Sequence, residues 1–408
     1  MPRILSLSTY PVVKPVHGGQ RRIDAFARRL TAEGWEFVNA AVYDANHYGG
    51  ASVSPNDIPL KYVAGKWSDL PFVGDLQAGE FATEYEAYRH FVGLVRRLSP
   101  DVIQLEQSFL WPLVKRLRQD GFAADIPMVY SSQNWEAPLK YDILRKSGVT
   151  EEKASGVAKA IVEMELEAAA ASVAVVAVSA TDAERYREAD PTKPIFVVPN
   201  GVSRPIEPTE TEQRVSEIFE HRRYVLFVGS AYPPNLDGFF KLVLSKGLFF
   251  CPPEKAIAIC GGVAHGIYAY GHYQAMISAN GRRVQFFPEP SDGDLEALKR
   301  GAHVVLLPIQ FGGGSNLKTA EAIASGKWVV ATSTALRGFE AFRNARGILV
   351  ADTPSEFRAA IVKALASPPL QLAPAEIEAR ETVYWDRCFD GSGYCEFVEQ
   401  YRKPAQAG

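Results

Sequence analysis

The sequence has few cysteines, no long apolar run, no block of like charge and no cysteine pair at metal-binding spacing. Each absence excludes a class of protein. Its four cysteines, Cys251, Cys260, Cys388 and Cys395, form no Cys-x-x-Cys pair. That pattern speaks against a disulfide-stapled secreted domain or a zinc ribbon, and it predicts reduced, buried thiols in a cytoplasmic protein. No stretch reaches the roughly 18 consecutive apolar residues of a membrane span. The first apolar run, Ile4-Leu5-Ser6-Leu7-Ser8, turns polar too soon for a signal peptide. The expectation is a soluble, cytoplasmic chain, at most peripheral at the inner membrane face. The 44 Lys and Arg against 47 Asp and Glu leave a net charge of -3 with no long basic block. Nucleic acid is therefore not an expected partner, although a local patch for an acidic membrane face remains compatible with the balance.

What is present is length and apolar content. At 408 residues, 47% of them hydrophobic, the chain exceeds what one core usually serves, so two domains are expected. The most informative stretch runs from Val304 to Thr332. Val304-Val305-Leu306-Leu307 reads as a strand buried on both faces, as in a parallel sheet. Gly312-Gly313-Gly314 lets the backbone approach a ligand closely, and Ser315 or Asn316 can cap the helix that follows. The opened N–H groups attract anions. Lys318 and Glu321, three residues apart, share one face of the first turn, Leu317, Ala320, Ile323 and Ala324 form the packing stripe, and Gly326 ends the helix. A cation and a carboxylate beside free N–H groups suit a ligand with phosphate at one end and hydroxyls a few ångströms away, the shape of a nucleotide sugar. The same residues also fit an ordinary βαβ crossover with Lys318 and Glu321 as a solvated ion pair.

The run from Gly312 through Lys318 and Glu321 to Gly326, followed by Trp-Val-Val-Ala-Thr, resembles the donor-site motif of retaining glycosyltransferases of the GT-B fold, family 4 type. The resemblance implies an α/β protein of two doubly wound, Rossmann-like domains facing across a cleft. It places phosphate binding on Lys318, ribose binding on Glu321, and contacts to sugar and diphosphate on Gly313, Gly314, Ser315 and Asn316. The family's second glutamate, eight positions before the ribose-binding one, is here Gly313.

Along the chain, residues 3–8 read as a first strand leading through His17, Gly18 and Gly19 into a helix at about 21–30. Gly18 and Gly19 fall where such enzymes place the glycine-rich loop of the first domain, facing the donor diphosphate and the acceptor, and Arg22, one turn into the helix, is a candidate for the diphosphate. His17 is a candidate for the acceptor. A solvated helix face also accounts for the arginines. Strands are expected at 35–43 and 58–63, with a loop at 46–57. The aromatic stripe of 83–98 predicts one long helix. Strands at 101–106 and 126–132 end in Glu106 and in Gln133-Asn134-Trp135-Glu136, and ligands in open α/β sheets bind beyond such ends. The latter resembles the family's His-Asn-x-Glu with Gln133 in the histidine's place; glutamine exchanges hydrogen bonds but takes no proton at neutral pH. Gln133 and Asn134 are thus read as orienting sugar or acceptor, Glu136 and Glu106 as acceptor residues. A helix cap at Asn134 explains that residue equally.

Helices at about 151–171 and 181–188, strands at 173–179 and 195–198, and Val198-Pro199-Asn200-Gly201-Val202 close the first domain, with the Pro-rich 205–211 as linker. Domains are set at 1–205 and 206–383, a terminal helix of about 384–403 crossing back to the first. Phe227-Val228-Gly229 opens the second domain as the family does, but Ser230 stands where most members have arginine, and their lysine position falls among Asn235, Leu236 and Asp237. Gly229 and Ser230 are donor candidates; Gly261, Gly262, Pro288 and Glu289 are candidates near the base, and plain turn chemistry also accounts for these four. The implied activity is transfer of a sugar from a nucleotide-diphosphate donor to a hydroxyl acceptor, a glycan or lipid-linked glycan, with retention. No Asp-x-Asp motif stands in a suitable place, so no metal or other cofactor is expected. The four departures leave two rivals: a non-catalytic sugar-nucleotide or glycan binder, and a nucleotide-sugar epimerase or hydrolase.

Overall fold

The structure is a computed structural model and describes residues 1–61, 65–204, 211–311 and 316–403. The chain divides into two compact units, Met1–Pro199 with Cys388–Gly408, and Asn200–Arg387. Each is a wholly parallel sheet between helices.

Unit 1 holds β1 (Arg3–Ser8), β2 (Glu36–Tyr43), β3 (Ile58–Pro59), β4 (Val102–Leu105), β5 (Met128–Ser131), β6 (Ala174–Ala177) and β7 (Ile195–Val197), in the order β3-β2-β1-β4-β5-β6-β7. Its helices are α1 (Gly18–Ala32), α2 (Gly74–Ala82), α3 (Tyr85–Leu98), α4 (Trp111–Gln119), α5 (Glu136–Lys146), α6 (Glu151–Ala171) and α7 (Ala180–Ala189). Every residue of β4, β5 and β6 is buried, as the helices covering both faces require, which is why these strands are largely apolar, with Gln104 and Ser131 the polar exceptions.

Unit 2 holds α8 (Thr211–Ile218), β8 (Tyr224–Val228), α9 (Pro233–Phe239), β9 (Ala256–Cys260), α10 (Val263–Ala269), α11 (Gly271–Gln274), α12 (Ile277–Asn280), β10 (Val284–Phe287), α13 (Asp292–Gly301), β11 (Val304–Leu307), α14 (Leu317–Ala324), β12 (Trp328–Ala331), β13 (Ile348–Val350), α15 (Pro354–Ala366) and α16 (Pro374–Glu381). Its strand order is β10-β9-β8-β11-β12-β13. In both sheets the winding reverses once, between β1 and β4 in unit 1 and between β8 and β11 in unit 2. Such a reversal splays apart the turns at the strands' carboxyl ends and opens a crevice there.

The helix read at 83–98 is α3, preceded by a helix the sequence did not show, α2, from which extended Glu84 (φ -67°, ψ 154°) separates it. Helix α2 was invisible because Gly74 and Gly79 lower its propensity and blur its stripe. The strand read at 58–63 ends at Pro59, which has no N–H for the ladder; residues 62–64 lie outside the described residues. The terminal helix is two short ones, α17 (Trp385–Asp390) and α18 (Tyr394–Glu399). Gly393, in the left-handed region at φ 74°, turns the chain between them. The four cysteines are free and buried, and among the described residues no helix is long and apolar enough to cross a membrane.

The end of the chain is built into unit 1. Phe389 meets Phe26 edge to face with ring centroids 4.8 Å apart, Trp35 Nε1 donates to Glu399 at 2.8 Å, and the Tyr394 hydroxyl donates to Gln104 Oε1 at 2.6 Å. In unit 2 the closest approach is at Gly238 of α9, where a Cβ would run into the carbonyl oxygen of Pro308 just past β11. Backbone cannot yield as a side chain end can. Gly238→Ala is therefore expected to destabilise the protein by about 1–3 kcal/mol. Gly156→Ala on α6, where a Cβ meets open space, should instead be neutral or stabilising by about 0.5–1 kcal/mol. Chemical denaturation of both variants checks the contrast.

Candidate functional site

Each unit gathers polar side chains at the carboxyl ends of its strands. In unit 2 the gathering point is Asn235, on the first turn of α9 and only 6% exposed. Its amide nitrogen donates to Ser230 O at 3.0 Å and Ser230 Oγ at 3.3 Å, closing the turn after Gly229, while its Oδ1 accepts from Lys318 Nζ at 2.7 Å. One amide thus ties the turn after β8 to the first turn of α14, across the reversal of the sheet. Asn316 is the cap of α14, its side chain accepting from Lys318 N at 3.4 Å, and Gly326 leaves the helix at φ 65°. Lys318 is half-buried, and desolvation pulls its ammonium down to about 8, opposed by the carboxylate of Glu321. Glu321 itself, one turn on, accepts from Lys299 Nζ of α13 at 3.3 Å. The two side chains of the motif therefore point to different partners. Gly313, Gly314 and Ser315 lie outside the described residues. Gly261, at φ 84°, and Gly262 follow β9, and Pro288 and Glu289 follow β10, at the same end of the sheet.

In unit 1 the loop after β1 meets the loop after β5. The Tyr10 hydroxyl donates to Gln133 Oε1 in a very short hydrogen bond. Gly19, at the start of α1, lies so close that a Cβ would strike both of those oxygens. Gln133 is 9% exposed, and its Nε2 has no partner. His17, just ahead of Gly18, caps α1, stands edge-on to the Tyr10 ring at 4.6 Å and shares a 2.9 Å hydrogen bond with the Tyr48 hydroxyl. Burial pushes its imidazole down to about 4, so it is neutral at physiological pH. Asn134 Nδ2 donates to Glu136 Oε1 at 2.9 Å, and Glu136 N to Glu165 Oε1 at 2.8 Å. Burial raises the Glu136 carboxyl, opposed first by Lys140. Lys140 Nζ reaches Asp75 Oδ2 at 3.3 Å, and Asp75 Oδ1 accepts from Thr9 Oγ1 at 2.7 Å.

His17, Gly18, Gly19, Gln133, Asn134 and Glu136 are thus brought to one end of the unit 1 sheet. Arg22 and Glu106 lie beneath this cluster, within electrostatic reach of Tyr10, but are buried. Arg22 is 1% exposed, gives Nη1 to Val198 O at 2.8 Å and lies over Phe26; it belongs neither to a solvated face nor to a ligand-facing one. Glu106 is fully buried, accepting from Ser6 Oγ at 2.7 Å and Gln104 Nε2 at 2.8 Å, and burial pushes its carboxyl up to about 7. Both side chains are buried in this structure, and the contacts described for them are internal. The sequence reading missed Tyr10, Asp75, Lys140 and Lys299, and passed over Asn235. Tyr10 and Asn235 stand in the turns after the first strand of each unit, where the strand-end rule points; Asp75 sits on the unforeseen α2. Among the described residues no group of three or more His, Cys, Asp and Glu is placed to hold a metal ion.

Residues 17–201 match the family model of a glycosyl transferase 4-like domain, and residues 222–367 that of glycosyl transferases group 1. No curated protein matches the chain in sequence. Among solved structures it is similar to sucrose-phosphate synthase from Thermosynechococcus elongatus, with TM-score 0.75 at 16% identity over 98% of this chain and 99% of that one. It is similar also to HepE of Anabaena in complex with UDP and glucose, with TM-score 0.67 at 13% identity over 98% and 100%. The catalytic domain of starch synthase IV from Arabidopsis thaliana, bound to ADP and acarbose, has TM-score 0.64 at 12% identity over 98% of each chain. At these identities the likeness is one of fold, GT-B.

Anion binding at Lys318 would have a definite pH sign. The ammonium is held below its ordinary value, so it is charged below about 8 and loses its proton above. Inorganic pyrophosphate should take up a proton on binding near pH 8, measured by calorimetry in two buffers of different ionisation enthalpy. In Lys318→Met that uptake should vanish.

Proposed function

The chain belongs to the group 1 glycosyl transferases, and we propose that it moves a sugar from a nucleoside-diphosphate donor to a hydroxyl acceptor with retention at the anomeric carbon and without a metal. The observation that carries the donor half is the link from Lys318 through Asn235 to Ser230, at the reversal of the unit 2 sheet. When the bond from the anomeric carbon to the phosphate oxygen breaks, negative charge gathers on the departing diphosphate. A fixed, partly desolvated ammonium is worth most at that moment, because it needs no reorganisation and little water screens it. Asn235 holds it in place. Glu321 would take the ribose hydroxyls, with Lys299 fixing its carboxylate.

On the acceptor side, Gln133 cannot take a proton, and Tyr10, raised well above its ordinary value by burial and nearby carboxylates, stays a neutral donor. These groups orient hydroxyls rather than ionise them. The complexes of similar folds, HepE with UDP and glucose and starch synthase IV with ADP and acarbose, support a nucleoside diphosphate and a saccharide as ligand classes. A glycan or lipid-linked glycan is the proposed acceptor.

Calorimetric titration with UDP, GDP, ADP and dTDP tests the reading. One of them should bind, and Glu321→Ala should weaken it by roughly tenfold, about 1.4 kcal/mol. Lys318→Ala should lower kcat by about a hundredfold with a smaller change in KM. Binding by none of the diphosphates would overturn the donor assignment. Binding with no transfer to any saccharide acceptor would favour a non-catalytic binder, and release of free sugar without acceptor a hydrolase.

A further inference from the structure

At the amino ends of β9 and β10, away from the ligand turns of the unit 2 sheet, the surface is both apolar and cationic. Phe249 is 61% exposed, Tyr268 51%, Ile277 40% and Met276 37%. Phe249 and Met276, with Ile277 next in sequence, come together around Gly247. Gly247, left-handed at φ 71°, brings the Phe249 ring and Met276 Sδ each to 3.3 Å from where its Cβ would be. Arg283 lies over the Phe249 ring and ties the loop to α12, donating to Cys251 O and Ala279 O at 2.7 Å each. Tyr268 packs edge-on against Phe286 of β10 at 5.6 Å and leaves the rest of its ring outside.

The charge of this region departs from that of the chain. Between 241 and 283 stand Lys241, Lys246, Lys255, Arg282 and Arg283 against a single carboxylate, Glu254, in a protein whose total is -3. Lys241, Lys246 and Arg282 are exposed. Exposed aromatic and aliphatic side chains beside Arg283, with exposed Lys246 and Arg282 adjoining in sequence, match the interface of an anionic bilayer, where rings sit at headgroup level and each cation adds about 1 kcal/mol. A protein partner's apolar face would leave those cations unmatched.

We propose that this face of unit 2 docks reversibly on anionic lipid, Phe249, Met276 and Ile277 entering the headgroup region and Lys246 and Arg282 facing lipid phosphates. The carboxyl-end turns of the same sheet, with Lys318 and Glu321, then point away from the bilayer. The inference stands independently of which donor the site takes.

The test is co-flotation of the full chain with phosphatidylcholine vesicles, with and without phosphatidylglycerol. The wild-type protein should bind only the anionic vesicles and be released by salt. The pair Phe249→Ser with Ile277→Ser, and separately Lys246→Glu with Arg282→Glu, should each weaken binding by roughly tenfold or more. Unchanged circular dichroism of both variants shows that they are folded. Absence of binding, equal binding to neutral vesicles, or wild-type binding by both variants would overturn the proposal. So would a concentration-dependent dimer, seen by sedimentation and abolished by the apolar pair, in a protein that ignores vesicles.

Discussion

The hydrogen bond between Lys318 and Asn235 joins two stretches of chain that are far apart in sequence and makes one site of them. Its geometry depends on the sheet beneath. The reversal between β8 and β11 leaves a crevice, Gly229 and Gly238 let α9 sit tight against the strand ends, and Asn235 is then the residue that faces α14. An amide suits that position because it donates at one end and accepts at the other. It closes its own turn on Ser230 and still offers an oxygen to the ammonium. Holding a cation out of water costs free energy, seen in the lowered proton affinity of Lys318. A bound anion would relieve that cost.

The unit 1 cluster is organised differently. His17 stands without its proton, Tyr10 keeps its own, and Gln133 is an uncharged amide. The Asp75–Lys140 pair, 36% and 9% exposed at the side chain, balances itself. Such a surface discriminates by the placement of donors and acceptors, and it leaves Gln133 Nε2 as a donor still to be matched.

Much of this architecture was legible in the sequence for a physical reason. Strands buried on both faces read as short, largely apolar runs, and glycines follow β8 and β11 while polar residues follow β4 and β5, so β1, β4, β5, β8 and β11 and the residues just beyond them could be located. Gly19 and Lys318 follow from that. The rest was hidden where meaning depends on contacts distant in sequence. Arg22 looks like any arginine on an amphipathic helix; only the fold shows it turned inward to Val198. Glu106 ends a strand, as a ligand-binding carboxylate would, yet Ser6 of β1 and Gln104 enclose it. Asp75 lay on a helix whose glycines concealed it, and the partner of Glu321 proved to be Lys299, 22 residues upstream, rather than Lys318 on its own helix.

Because the side chains of Phe389, Tyr394 and Glu399 complete the first unit, its residues are interrupted by the whole of the second, Asn200–Arg387. On the ribosome, where domains fold as units while the chain emerges, the second unit leaves the exit tunnel entire while the first still lacks its closing piece. Gln104 and the faces of Phe26 and Trp35 then wait, unpartnered, through the synthesis of nearly half the protein. The unit that starts the chain is the last to be finished.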